Sequence, residues 1–171
     1  MFFKKSLLAI ITLSSLVSLS ATADQNQQNI TLTGTISAVS CEVILNGGQS
    51  TLNVGSFPSA SFTANTQVGF SALNIALTGC DKASGTDKGN LLISGTTASS
   101  NTGLFVNNSQ DTVGFMLQDK DKNQITNNTP VPLDVTAGDN MYSMSVGMGS
   151  LTATPANNVY SAPIVIAYLS D

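Results

Sequence analysis

Phe70-Ser71-Ala72-Leu73-Asn74-Ile75-Ala76-Leu77 is the stretch that decides how this chain folds. Leu73, Ile75 and Leu77 recur at every second position, the period of a strand with one buried face. A helix would instead need apolar residues three and four apart, and no stretch of ten or more residues after position 23 sustains that spacing. The same alternation runs through Ile30-Thr31-Leu32-Thr33-Gly34-Thr35-Ile36. Val43-Ile44-Leu45, ending at the turn Asn46-Gly47-Gly48, and Leu52-Asn53-Val54, ending at Gly55, read as short strands. Further strands are expected at Leu91–Ile93, Val113–Leu117, Met141–Met148 and Pro163–Leu169, joined by loops such as 99–103 and 126–130. Many short strands with frequent turns specify an all-β sandwich.

The N-terminus reads differently. Lys4 and Lys5 precede a charge-free run from Ser6 to Leu19, and Ala21-Thr22-Ala23 follows. A basic flank, an apolar run of about 14 residues and an A-x-A site form a secretory signal peptide. Residues 1–23 are therefore expected to be removed by cleavage between Ala23 and Asp24. Roughly 20 apolar residues would be needed to span a membrane. Residues 24–171 are long enough for one domain with a single core.

Composition excludes several functions. Charged residues make up 9% of the chain and its net charge is −4, with only six basic residues, two of them in the leader. Nucleic-acid binding needs clustered Lys and Arg to neutralise phosphates, so it is not expected. With no His, Ser-His-Asp and Cys-His catalysis are unavailable. The ten acids stand mostly in turn-like contexts and give no pair suited to glycoside chemistry. No enzyme activity and no cofactor are expected.

Asp119-Lys120-Asp121-Lys122-Asn123 has the D-x-D-x-N opening of a calcium loop. Gln124 stands where such a loop needs Gly, and Pro130 where it needs Glu, so a hairpin connection explains the segment better. Asn29-Ile30-Thr31 matches a glycosylation sequon of a kind that arises by chance in so Asn- and Thr-rich a chain. Met141, Met144 and Met148 suit core packing on one strand better than soft-metal ligation. The two cysteines, Cys41 and Cys80, form an even count in an exported chain, which points to a disulfide; two buried thiols are the alternative.

Asp24–Asn29 is wholly polar and leads directly into the alternating run from Ile30, so the mature N-terminus is expected to be a mobile arm.

Three segments carry a resemblance. Gly34-Thr35-Ile36-Ser37-Ala38-Val39-Ser40-Cys41 resembles the Gly-x-Val/Ile segment that leads to the first cysteine in subunits of chaperone–usher pili (fimbriae) of Gram-negative bacteria. Leu73-Asn74-Ile75-Ala76-Leu77-Thr78-Gly79-Cys80 is similar to their F-x-I-x-L-x-x-C strand, with Leu73 in the Phe position, and Val113-Gly114-Phe115-Met116-Leu117-Gln118-Asp119 to their G-V/F-x-I-x-L-x-D strand and turn. The chain departs from the family at its end: Tyr168 is followed by Leu169-Ser170-Asp171, where a penultimate Tyr is usual.

The resemblance implies an incomplete immunoglobulin-like β-sandwich, completed by a donor strand from another subunit. Residues 24–34 would be the donor extension, with Ile30, Leu32 and Gly34 facing the neighbour's groove, and residues 35–171 the pilin domain. Ile164, Ile166 and Tyr168 would form the groove wall and the strand that the chaperone contacts. The implied partners are a periplasmic pilus chaperone, an outer-membrane usher and other pilus subunits, and the implied destination is the cell-surface pilus. A non-polymerising secreted β-sandwich that binds a ligand is the competing reading.

Overall fold

A computed structural model describes residues 41–80 and 86–170. Ten strands run in chain order: β1 (Glu42–Leu45), β2 (Val68–Cys80), β3 (Thr86–Gly95), β4 (Thr97–Ala98), β5 (Asn101–Phe105), β6 (Val113–Gln118), β7 (Gln124–Ile125), β8 (Pro130–Thr136), β9 (Gly138–Ser150) and β10 (Ile164–Ser170). The only helical elements among the described residues are two 3₁₀ turns, at Asn46–Gly48 and Ser59–Ser61. None of the described helices is long and apolar enough to cross a membrane.

The strands form two antiparallel sheets. The larger has the order β1-β2-β9-β6-β5-β4, with β7 paired to β6; the smaller has the order β10-β3-β8. β2 and β9 form the long axis of the larger sheet, with Ile75 opposite Tyr142 and Leu73 opposite Met144. Leu73, Ile75 and Leu77 all lie in the core, as the alternation requires, facing Leu91 and Ile93 of β3 and Val135 of β8. Two inward faces close on one apolar layer, the arrangement of an aligned β-sandwich. A smaller cluster of Ala98, Leu104, Val106 and Met116 packs beyond it.

Gly114, in the β6 motif, is fixed by space: a side chain there would run into the backbone carbonyl of Phe105. Asn46-Gly47-Gly48 turns the chain as expected, all three residues taking positive φ, where glycine is at no steric cost. The segment 119–123 joins β6 to β7 as a hairpin, with Gln118 opposite Gln124.

Several strand expectations need correction. Leu52-Asn53-Val54 is not a strand: Val54 reaches the core and Leu52 packs against it, but the segment lies outside both sheets. Asn101–Gly103, read as loop, opens β5. Strand β8 begins at Pro130 and holds a second proline, Pro132, yet pairs with β3 along its length. Proline fits a sheet at its margin, where a missing N–H leaves no ladder bond empty, and β8 is such a margin. Of the three methionines, Met144 is buried and Met148 packs on the core, but Met141 faces solvent.

Candidate functional site: the seam between β1 and β10

β1 closes one margin of the larger sheet and β10 one margin of the smaller, and the two strands approach each other directly. The seam between them is therefore a place where the sandwich passes from one sheet to the other without a shared ladder among the described strands. From β1, Val43 and Leu45 pack inward on the core; from β10, Ile164, Ile166 and Tyr168 do the same. Ile166 is buried, while the four others are half-buried, so the seam is a row of apolar side chains above a fully buried floor of Ile75, Leu77, Leu91 and Ile93.

The register of β10 on β3 sets this wall. Ile164 lies opposite Gly95, Ile166 opposite Ile93, and Tyr168 opposite Leu91. The alternate residues point away from the core, with Val165 65% and Leu169 44% exposed. Apolar residues stand on both faces of this strand. The smaller sheet is only one layer thick, and nothing among the described residues covers its outer face.

At the Tyr168 end, four strands converge. The Tyr168 ring leans over Gly89 of β3, and the Tyr142 hydroxyl of β9 donates to the backbone carbonyl of Asp134 on β8. Burial, followed by the neighbouring Tyr168 and Asp134, pushes the Tyr142 phenol above its usual value. Lys88 and Asp134 pair across β3 and β8, both well exposed, a setting in which an ion pair contributes little.

The Cys41–Cys80 disulfide is formed, so the alternative of two thiols is set aside. It joins the residue before β1 to the last residue of β2. Asp119 holds its own hairpin: its carboxylate accepts hydrogen bonds from the backbone N–H groups of Asp121 and Asn123 and from the Asn123 amide. Burial acts to raise its pKa, but those hydrogen bonds and the charge of Lys120 prevail and hold it below the usual carboxylate range.

Ala23, Asp24 and the donor-face residues Ile30, Leu32 and Gly34 lie outside the described residues. The structure thus brings together Ile164, Ile166 and Tyr168 of the expected site, and adds Val43 and Leu45. Their contribution was legible only as strand alternation, because sequence spacing does not say which two margins meet.

Two facing antiparallel sheets bridged from β1 to β2 define an immunoglobulin-like sandwich of the pilin type. The chain matches the family described as fimbrial protein over residues 30–165, most of its length, and belongs to that family. Among solved structures, the P pilus rod subunit PapA is similar at 12% identity with a TM-score of 0.64, over 77% of this chain and 99% of that one. A chain from a chaperone–usher pilus studied for rod uncoiling is similar at 16% identity with a TM-score of 0.61, over 88% and 99% of the respective chains. No curated protein matches the sequence at a significant level.

Proposed function

We propose that this fimbrial subunit polymerises by donor-strand exchange: residues 24–34 of one copy enter the β1–β10 seam of the next, with Ile30, Leu32 and Gly34 facing the core. The observation that carries this reading is that β1 and β10 end different sheets and line a common apolar floor. An added strand at that seam supplies main-chain ladder bonds and buries alternate side chains, which is β-augmentation. Each large apolar side chain fully buried there contributes about 1.5–3 kcal/mol. Glycine at position 34 suits a point of close backbone approach.

On this reading the chain is exported through the periplasm after cleavage at Ala23-Asp24. A periplasmic chaperone covers the seam until an outer-membrane usher directs the exchange, and the product is a surface fibre that supports cell adhesion. A chaperone is needed because an apolar seam between two sheet margins is an aggregation hazard. The test is electrophoresis of fibres sheared from cells. Donor-strand polymers run as a ladder after mild heating and as monomer after boiling. A single band at monomer size under both conditions would instead favour a non-polymerising binding module.

A further inference from the structure

Two local rules of chain geometry are broken beside one cleft on the outer face of the larger sheet. The first break is in β2. Its register on β9 slips by one residue, from Val68 opposite Met148 to Ser71 opposite Val146. Gly69 takes a φ of 67° there, the geometry of a bulge opened by a left-handed glycine. The bulge re-aims Phe70, which is 78% exposed, although an aromatic ring stabilises a fold by being buried. The second break is in the β6–β7 hairpin. Lys122 has a φ of 66°, a left-handed conformation that glycine or asparagine adopts at less cost. Departures from local preference that bring no packing in return concentrate at functional sites.

Phe70, Lys120 and Lys122 all line the same cleft of about 600 Å³, a size within the usual range of small-molecule sites. Ala72, Ser145 and Gln118 stand in one row across its floor, from β2 through β9 to β6. The side chains of Gln67 and Ser145 hydrogen-bond at 3.0 Å, and Ser143 adds a second hydroxyl. Asp119 is the one acid in the lining, and its carboxylate is taken up by the backbone N–H groups of Asp121 and Asn123. Lys120 pairs with Asp121, whereas Lys122 makes no ion pair among the described residues. The cleft thus offers an aromatic ring, amides, hydroxyls and an ammonium group open to a ligand.

We infer that this cleft binds an acidic saccharide. A sugar ring lies against Phe70, its hydroxyls meet Ser143, Ser145 and Gln118, and its carboxylate meets Lys122. The C–H groups on one face of a pyranose carry partial positive charge and suit the negative face of an aromatic ring. An extended peptide is a poorer occupant, because β9 beneath the cleft is paired on both sides, by β2 and β6, and has no margin open to an added strand. A neutral sugar would leave Lys122 without a counterpart. The inference gives the adhesion part of the proposed function a ligand chemistry, and rests on that reading only for carrying the subunit to the cell surface.

The experiment titrates the exported chain, recovered as fibre or as single subunit, with sialyllactose and with lactose, its uncharged counterpart. Saturation-transfer NMR reads the affinity of each. Sialyllactose should bind, and lactose about fivefold more weakly, the upper end for an exposed charge pair. K122Q should lose the same factor for sialyllactose, and high salt should bring wild type down to K122Q. F70A should weaken binding by about tenfold, F70W should retain it, and V159A, at another exposed apolar side chain, should leave it unchanged. Absence of sialyllactose binding, equal binding of the two sugars, or unchanged binding in F70A overturns the inference. The gel ladder is read in parallel. A ladder without sugar binding overturns the cleft, whereas sugar binding without a ladder overturns the donor-strand reading and upholds the cleft.

Discussion

The ring of Tyr168 lies over Gly89, two residues along β3 from its registered partner Leu91. A Cβ on Gly89 would stand 2.5 Å from the ring's Cε2 carbon. The glycine is thus the recess that lets the aromatic side chain lie flat on the sheet, as an aromatic across a strand can compensate for a glycine's missing side chain. G89A should cost about 1–3 kcal/mol through overpacking. Urea unfolding of the oxidised subunit measures this, and Y168L should relieve most of the G89A penalty in a double-mutant cycle.

Removing the disulfide with C41S should cost about 4 kcal/mol in the chain-entropy model for a loop of this length, a large share of an ordinary domain's stability. The oxidised and variant chains compared by urea unfolding give the number, and periplasmic abundance of C41S should fall with it.

Asp119 makes the β6–β7 hairpin sensitive to acid. Its folded pKa lies below the unfolded one, so its contribution is complete above the unfolded value, near 4, and disappears as pH falls through the lower, folded value. D119A should lower the melting temperature at neutral pH and lessen the acid sensitivity. Thermal melts of both proteins between pH 7 and pH 2 should therefore converge at the acid end.

Tyr142 acts at the other limb. Its folded pKa is raised, so its contribution is present below the unfolded value of about 10 and is lost as pH rises through the folded one. Y142F removes the hydrogen bond to the Asp134 carbonyl and should cost about 0.5–1.5 kcal/mol at neutral pH. The difference between Y142F and wild type should shrink in alkaline melts.

The proposed donor arm, residues 24–34, gives a test that separates folding from assembly. A chain starting at Thr35 should accumulate bound to chaperone and form no ladder. L32R should likewise block joining, since its charge would enter an apolar seam without a partner. Co-purification with chaperone and the gel ladder read the two steps independently.

The fold was legible wherever one strand carried its own evidence. Leu73, Ile75 and Leu77 announce a half-buried strand by period alone, and all three are core. Pro130 and Pro132 obscured β8 because local rules disfavour proline in strands, whereas its place at the margin of a sheet is a long-range fact. Leu52 and Val54 erred in the other direction: they alternate and pack inward, but no strand pairs with them. The candidate site was half legible. Ile164, Ile166 and Tyr168 could be assigned to one face of one strand, while their meeting with Val43 and Leu45 depends on which sheet each margin closes. The exposure of Val165 and Leu169 was hidden for the same reason, since an apolar strand does not state how many layers cover it.

The bridge from Cys41 to Cys80 also sets how the subunit bears tension. A pull on the residues ahead of Cys41 would otherwise peel β1 from β2 one hydrogen bond at a time, beginning at Glu42 opposite Thr78. The cross-link stands before that first pair, so force passes into the end of β2, a 13-residue strand paired on both sides. The β1–β2 ladder itself is then bypassed by that load. Reduction would turn a subunit that resists extension into one that unzips from its own N-terminal side.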